Sequence, residues 1–160
     1  MNRHLVAVTP AVLLAVVIAG GCGSSRPALS AAQKAQVTDA VRQGLSRLAA
    51  SPASGISRGT EVILTPMCVS TTDSRYVAVV AYPIDRGQVA QPAFVYVLHG
   101  ADGYRMLEVF RTGDQMLERP PVVPTRAWNG IGVGRSCLPT APDRVAALRK
   151  SHAVPDFRIR

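Results

Sequence analysis

Apolar residues fall into distinct patterns along the chain. An apolar run from Leu5 to Ala19, containing Pro10, follows Met1-Asn2-Arg3-His4. Further on, Val37, Val41, Leu45 and Leu48 recur at spacings of four, four and three, which is one stripe of a helix. Ser30-Ala31-Ala32-Gln33 matches a capping box at its start, and Ser51-Pro52 with Ser54-Gly55 stops it. The pattern predicts a helix from Ser30 to about Ala50, weakened at Gly44.

Strand patterns follow. Glu61 to Leu64 is short and β-rich, with Pro66 expected to end it. Arg75 to Tyr82 alternates Tyr76, Ala78, Val80 and Tyr82 against Val77, Val79 and Ala81. Both sets are apolar, so this is expected to be a central strand. Pro83 to Pro92 reads as a loop around Asp85-Arg86-Gly87. Ala93 to Leu98 and Tyr104 to Arg111 read as two strands of a hairpin turning at His99 to Gly103.

Beyond Thr112 the pattern weakens, because Pro120, Pro121 and Pro124 interrupt it. Thr125 to Val133 is expected to be a last strand broken by glycines. Thr140-Ala141-Pro142-Asp143 opens a second short helix, with Thr140 as its expected cap and Val145 and Leu148 on its apolar side. The predicted fold is α+β: an N-terminal helix packed on an antiparallel β-meander, then a short C-terminal helix, in one domain.

Composition narrows the picture. The chain has 160 residues, 48% of them hydrophobic, and a net charge of +8. That length suits one domain with a real core. Three cysteines are too few for a dense disulfide scaffold or a four-cysteine zinc site. The opening run is shorter than the roughly 20 apolar residues that span a bilayer as a helix. A basic start, an apolar centre and small residues before a cut are the parts of a secretory signal.

Ala19-Gly20-Gly21-Cys22 resembles the lipobox of bacterial lipoproteins, with Ala19 where a larger aliphatic is usual. The resemblance implies a diacylglycerol on Cys22 and cleavage just before it. Ala19 and Gly21 also suit an ordinary signal peptidase cutting at the same bond, or the run stays as an uncleaved anchor. The expected organisation is a signal peptide over 1–21, a lipidated flexible tether over 22–29, and a single domain over 30–160. The body resembles small secreted proteins and lipoproteins of actinobacterial type. That resemblance rests on Arg75 to Val80, Phe94 to Leu98, Asp102 to Met106, and Cys137-Leu138-Pro139 leading to Val145-Ala146-Ala147-Leu148, and it implies no known activity.

With Cys22 acylated, Cys68 and Cys137 remain as a pair in an oxidising compartment, which predicts one disulfide. His99 with nearby Asp102 reads either as a base and its orienter or as a polar turn, and the polar turn is preferred. Gly130-Ile131-Gly132-Val133-Gly134 lacks the spacing of a nucleotide loop and reads as a backbone needing glycine. No serine elbow or metal-binding spacing is visible, so no catalytic residue, metal or cofactor is expected. Sixteen arginines face two lysines, and removing Arg3 with the leader leaves +7.

That charge suits anionic lipid headgroups or wall polymers, while export argues against nucleic acid. Arg26, next to the anchor, is the expected first contributor. The expected function is a membrane-anchored lipoprotein of the extracytoplasmic face, acting as a non-enzymatic binding or structural module. The alternatives are a small hydrolase using His99 and a small-ligand carrier with a pocket between helix and sheet.

Overall fold

A computed structural model describes residues 26–54 and 56–160. The first helix, α1, covers Ala31–Ala49. Its capping box forms as the sequence predicts: the Gln33 amide donates to Ser30 Oγ at 3.2 Å, and the Ser30 amide donates to Gln33 Oε1 at 2.9 Å. Two of the otherwise orphaned amides at the helix start are thereby satisfied.

The strands are β1 (Glu61–Val69), β2 (Tyr76–Asp85), β3 (Gln88–Val89), β4 (Ala93–Gly100), β5 (Gly103–Thr112) and β6 (Asp156–Arg158). They form one antiparallel sheet in the order β5-β4-β2-β1-β6, with β3 paired to the end of β2. Two short helices follow β5: α2 (Thr125–Ile131) and α3 (Pro142–Lys150). The α+β architecture, the meander and the short C-terminal helix are as the pattern implied.

β2 lies at the centre of the sheet, and its two alternating sets feed two cores. Val77, Val79 and Ala81 pack with Val37, Val41 and Leu45 of α1 on one face. Ala78, Val80 and Tyr82 pack with Ala127 and Ile131 of α2 and Val145 of α3 on the other. A large aliphatic side chain so buried contributes about 1.5–3 kcal/mol relative to exposure. Covering both faces explains why this strand reads apolar on both sides.

Four local expectations need correction. Pro66 does not end the first strand: β1 runs on to Val69. The Thr65–Pro66 peptide is cis, and Thr65 and Pro66 sit at the register shift between Leu64 and Met67. A bulge leaves a residue outside the ladder, where proline's missing N–H costs nothing.

Pro83 to Pro92 is not a plain loop. β2 continues to Asp85 and turns back into β3 through Arg86 and Gly87, both with positive φ (47° and 81°). Two such residues match the right-handed twist of a tight hairpin.

The stretch Thr125 to Val133 holds a helix, α2 (Thr125–Ile131), and not a strand. Ala127, Gly130 and Ile131 are buried in it, the i, i+3, i+4 spacing of a helical stripe. Gly132 caps the helix in the left-handed conformation at φ 67°. Thr140 does not cap α3: Ala141 occupies the cap without a side-chain bond, and the Thr140 carbonyl accepts the Tyr82 hydroxyl at 2.7 Å. The last strand is β6, which pairs with the outer edge of β1.

Arg149 on α3 grips Glu61 on β1 with two hydrogen bonds of 2.7 and 2.6 Å. This bidentate pair fixes α3 against the sheet, and the hydrogen bond to Glu61 raises the Arg149 pKa above its ordinary value. Among the described residues, no helix is long and apolar enough to cross a membrane.

Candidate functional site

Two ends of the domain carry different chemistry. One end gathers the β1–β2 turn, the β4–β5 turn, the start of α1 and the end of α2. Cys68 on β1 is bonded to Cys137 beyond α2, with Cα atoms 5.9 Å apart. The disulfide expected from cysteine counting is present. Ser70, fully buried, follows Cys68 and accepts hydrogen bonds from the Thr72 and Asp73 amides. Thr71 N and Oγ1 both donate to the Gly130 carbonyl, and Thr72 Oγ1 donates to the Arg126 carbonyl at 2.6 Å.

A side chain at Gly130 would collide with Ser70 Oγ and Thr72 Oγ1, so glycine lets α2 close on this turn. Gly132 and Gly134 have positive φ, in keeping with a loop whose backbone needs glycine.

Arg26, the first described residue, belongs to this end. Its guanidinium donates to the Ile131 carbonyl and to Ser136 Oγ. Leu29 packs against the α1 core. The stretch expected to be a flexible tether is therefore docked from Arg26 onward. Both bonds come from Nη2 and go to neutral oxygens, so Arg26 keeps its charge but is held against the domain and is not free beside the anchor. Cys22 and the leader lie outside the described residues.

His99 sits at the same end, exposed, with its ring 4.4 Å from the Tyr104 ring. Pro27, Leu29, Ser74 and Arg75 help to line a shallow cavity of about 140 Å³ beside it. Among the described residues no hydrogen bond joins the His99 ring to a serine or a carboxylate, Asp102 included. The carboxylate on the β1–β2 turn, Asp73, is held by Arg75 through bonds of 2.9 and 2.7 Å. That hydrogen bonding keeps Asp73 below the usual carboxylate range. The elements of a nucleophile, base and orienter set are not brought together here.

The other end carries a groove. α1 ends there, and the strands present their opposite tips. A cavity of about 320 Å³ opens between helix and sheet on the α1 face. Leu45, Ile56, Val62, Ala81 and Ile159 supply apolar walls, while Ser54, Ser57, Thr60, Asp85, Gln91 and Thr112 supply polar groups. Among the described residues, Asp85 is the one charged residue lining it. Its volume lies near the lower end of the range for small-molecule sites, and apolar and polar residues share its lining.

The groove was not visible in the sequence as particular residues. Its walls come from α1, β1, β2, β5 and the C-terminus, and only the assembled fold brings them together. Among other basic residues, Arg42 pairs with Asp39 at 2.7 Å, while Arg47, Arg144, Lys150, Arg158 and Arg160 are exposed. Among the described residues no group of three or more His, Cys, Asp or Glu is arranged to hold a metal ion. No protein-family model, curated protein or solved structure matches the chain.

Proposed function

We propose that the chain is a lipid-anchored protein of the extracytoplasmic membrane face whose domain works by binding and not by catalysis. The anchor is read from Ala19-Gly20-Gly21-Cys22. The Cys68–Cys137 disulfide supports an oxidising compartment. The observation that carries the binding role is the 320 Å³ groove, with apolar walls and a polar rim. It favours the carrier form of the reading over a purely structural module. The ligand class it suits is a small, largely apolar molecule with a hydroxyl or cationic group to meet Thr60, Gln91 or Asp85.

A hydrolase centred on His99 has less support, since the His99 ring lies tilted against Tyr104 and the Asp73 carboxylate serves Arg75. Anionic lipid headgroups or wall polymers remain the proposed partners of the basic surface.

The test uses N-phenyl-1-naphthylamine, a neutral fluorescent probe. Saturable enhancement at one site is expected, weakened at least tenfold by Ser57→Trp, which places a bulky ring at the exposed mouth of the groove. Absence of saturable binding, or binding unchanged by Ser57→Trp, would remove the groove as the binding site.

A further inference from the structure

We propose that the surface made by the Gly132–Leu138 loop and Leu117 rests on the membrane that carries the anchor, its partner being an anionic bilayer surface. This rests on the lipid-anchor reading and adds an orientation to it.

Reach comes first. Three residues lie between Cys22 and Arg26, so the four steps from one to the other, at roughly 3.6 Å each, cover at most about 14 Å in an extended chain. Arg26 is fastened to the Ile131 carbonyl and Ser136 Oγ. A lipid on Cys22 therefore holds this loop beside the bilayer on a short leash, with no long linker to let the domain tumble.

Exposed apolar side chains point to the same surface. Among the described residues, the exposed large hydrophobics are Leu117, Val122 and Leu138, at 65%, 53% and 52%. All three fall between Leu117 and Leu138, in the segment that includes α2 and covers the sheet face opposite α1. Leu117 borders the loop, since its Cδ2 would lie 3.1 Å from a Cβ on Gly134. Leu138 follows Cys137 at the loop's far end. A single exposed leucine is ordinary, but their gathering in the one segment to which the leash is tied is not.

Charge is a weaker contribution. Arg135 in the loop and Arg126 on α2 are exposed. From Gly113 to Leu138 the sequence carries three arginines against Asp114 and Glu118, and Arg26 adds one more cation. Apolar contact with the interface is therefore the main term, and the surplus of cations favours an anionic surface.

The groove fits this orientation. It opens near Leu45, while Arg26 and the start of α1 lie at the other end of that helix. From Ala31 to Leu45 the helix rises about 20 Å. A domain lying on its Gly132–Leu138 loop keeps the groove clear of the headgroups.

The test uses the full lipidated protein in nanodiscs of phosphatidylcholine and phosphatidylglycerol at 7:3, containing a gadolinium-chelate lipid. Amide NMR signals near that lipid broaden. Intact mass spectrometry comes first: an unacylated chain would defeat the anchor reading and this proposal with it. With the acylated protein, several-fold stronger broadening is expected at Leu117 and Gly132–Leu138 than at Ile56–Thr60 and Asp85–Gln91. Uniform broadening, or the strongest effect around Asp85, would overturn the orientation while leaving the anchor intact. The double variant Leu117→Asp, Leu138→Asp alters exposed positions only. It is expected to halve the broadening of the loop or better, with acylation unchanged; an unchanged pattern would refute contact through these side chains.

Discussion

A Cβ placed on Gly44 of α1 would lie 2.6 Å from Met106 Sδ and 2.7 Å from Met106 Cβ on β5. Helix and sheet approach so closely here that only hydrogen fits. The glycine costs the isolated helix about 1 kcal/mol relative to alanine. Inserting a methyl into a packed core costs about 1–3 kcal/mol. Gly44→Ala is therefore expected to destabilise the domain by about 1 kcal/mol, opposite in sign to its helix propensity. Urea unfolding measures it, and Met106→Ala in the same background should recover part of the loss. A stabilised Gly44→Ala variant would show that the contact relaxes freely.

The disulfide closes a loop with a sequence separation of 69 residues. In the chain-entropy model such a loop contributes about 4 kcal/mol. Cys137→Ser, with Cys68→Ser to avoid a free thiol, is expected to lower stability by about 3–4 kcal/mol in guanidinium unfolding. A loss under about 1 kcal/mol would mean that the reduced chain is already constrained, since the entropy model counts only loop closure.

How far the fold was legible depended on the range of the interaction. The Ser30–Gln33 cap, the α1 stripe and the two-faced pattern of β2 are local signals, and each appears as expected. The disulfide followed from counting cysteines, which needs no geometry. Pro66 and the glycines around Ile131 misled, because a proline at a bulge and a glycine that caps a helix look like breakers in a linear reading. The stripe Ala127, Gly130, Ile131 was present but obscured, since one of its members is itself a glycine. β6 and the groove depend on contacts between the C-terminus and β1, so no local pattern announces them.

Tyr82 is fully buried, and its hydroxyl donates to the Thr140 carbonyl at 2.7 Å. Burial pushes its pKa above the ordinary value of 10.0. The sign follows from a raised folded-state value. Its contribution is fully present below about pH 10, the unfolded value, and is lost as pH rises through the raised folded value. Tyr82→Phe is expected to cost about 1 kcal/mol at neutral pH through the lost hydrogen bond. The variant should also show a flatter alkaline limb in a stability–pH profile. An identical alkaline limb would place the sensitivity elsewhere.

His99 gives the direct contrast between binding and catalysis. His99→Ala is expected to leave naphthylamine binding unchanged, because the ring lies at the end of β4 away from the groove. A broad ester and amide substrate screen should show no turnover that depends on this residue. Reproducible hydrolysis abolished by His99→Ala would replace the binding role with a catalytic one.

The anchor itself is tested most directly by metabolic labelling with an alkyne palmitate analogue in the cell of origin, followed by intact mass spectrometry. The predicted result is a labelled membrane-fraction chain that begins at Cys22, with label lost from Cys22→Ala. Equal labelling of Cys22→Ala, or an unlabelled wild-type chain recovered from the medium, would contradict a lipid-anchored protein.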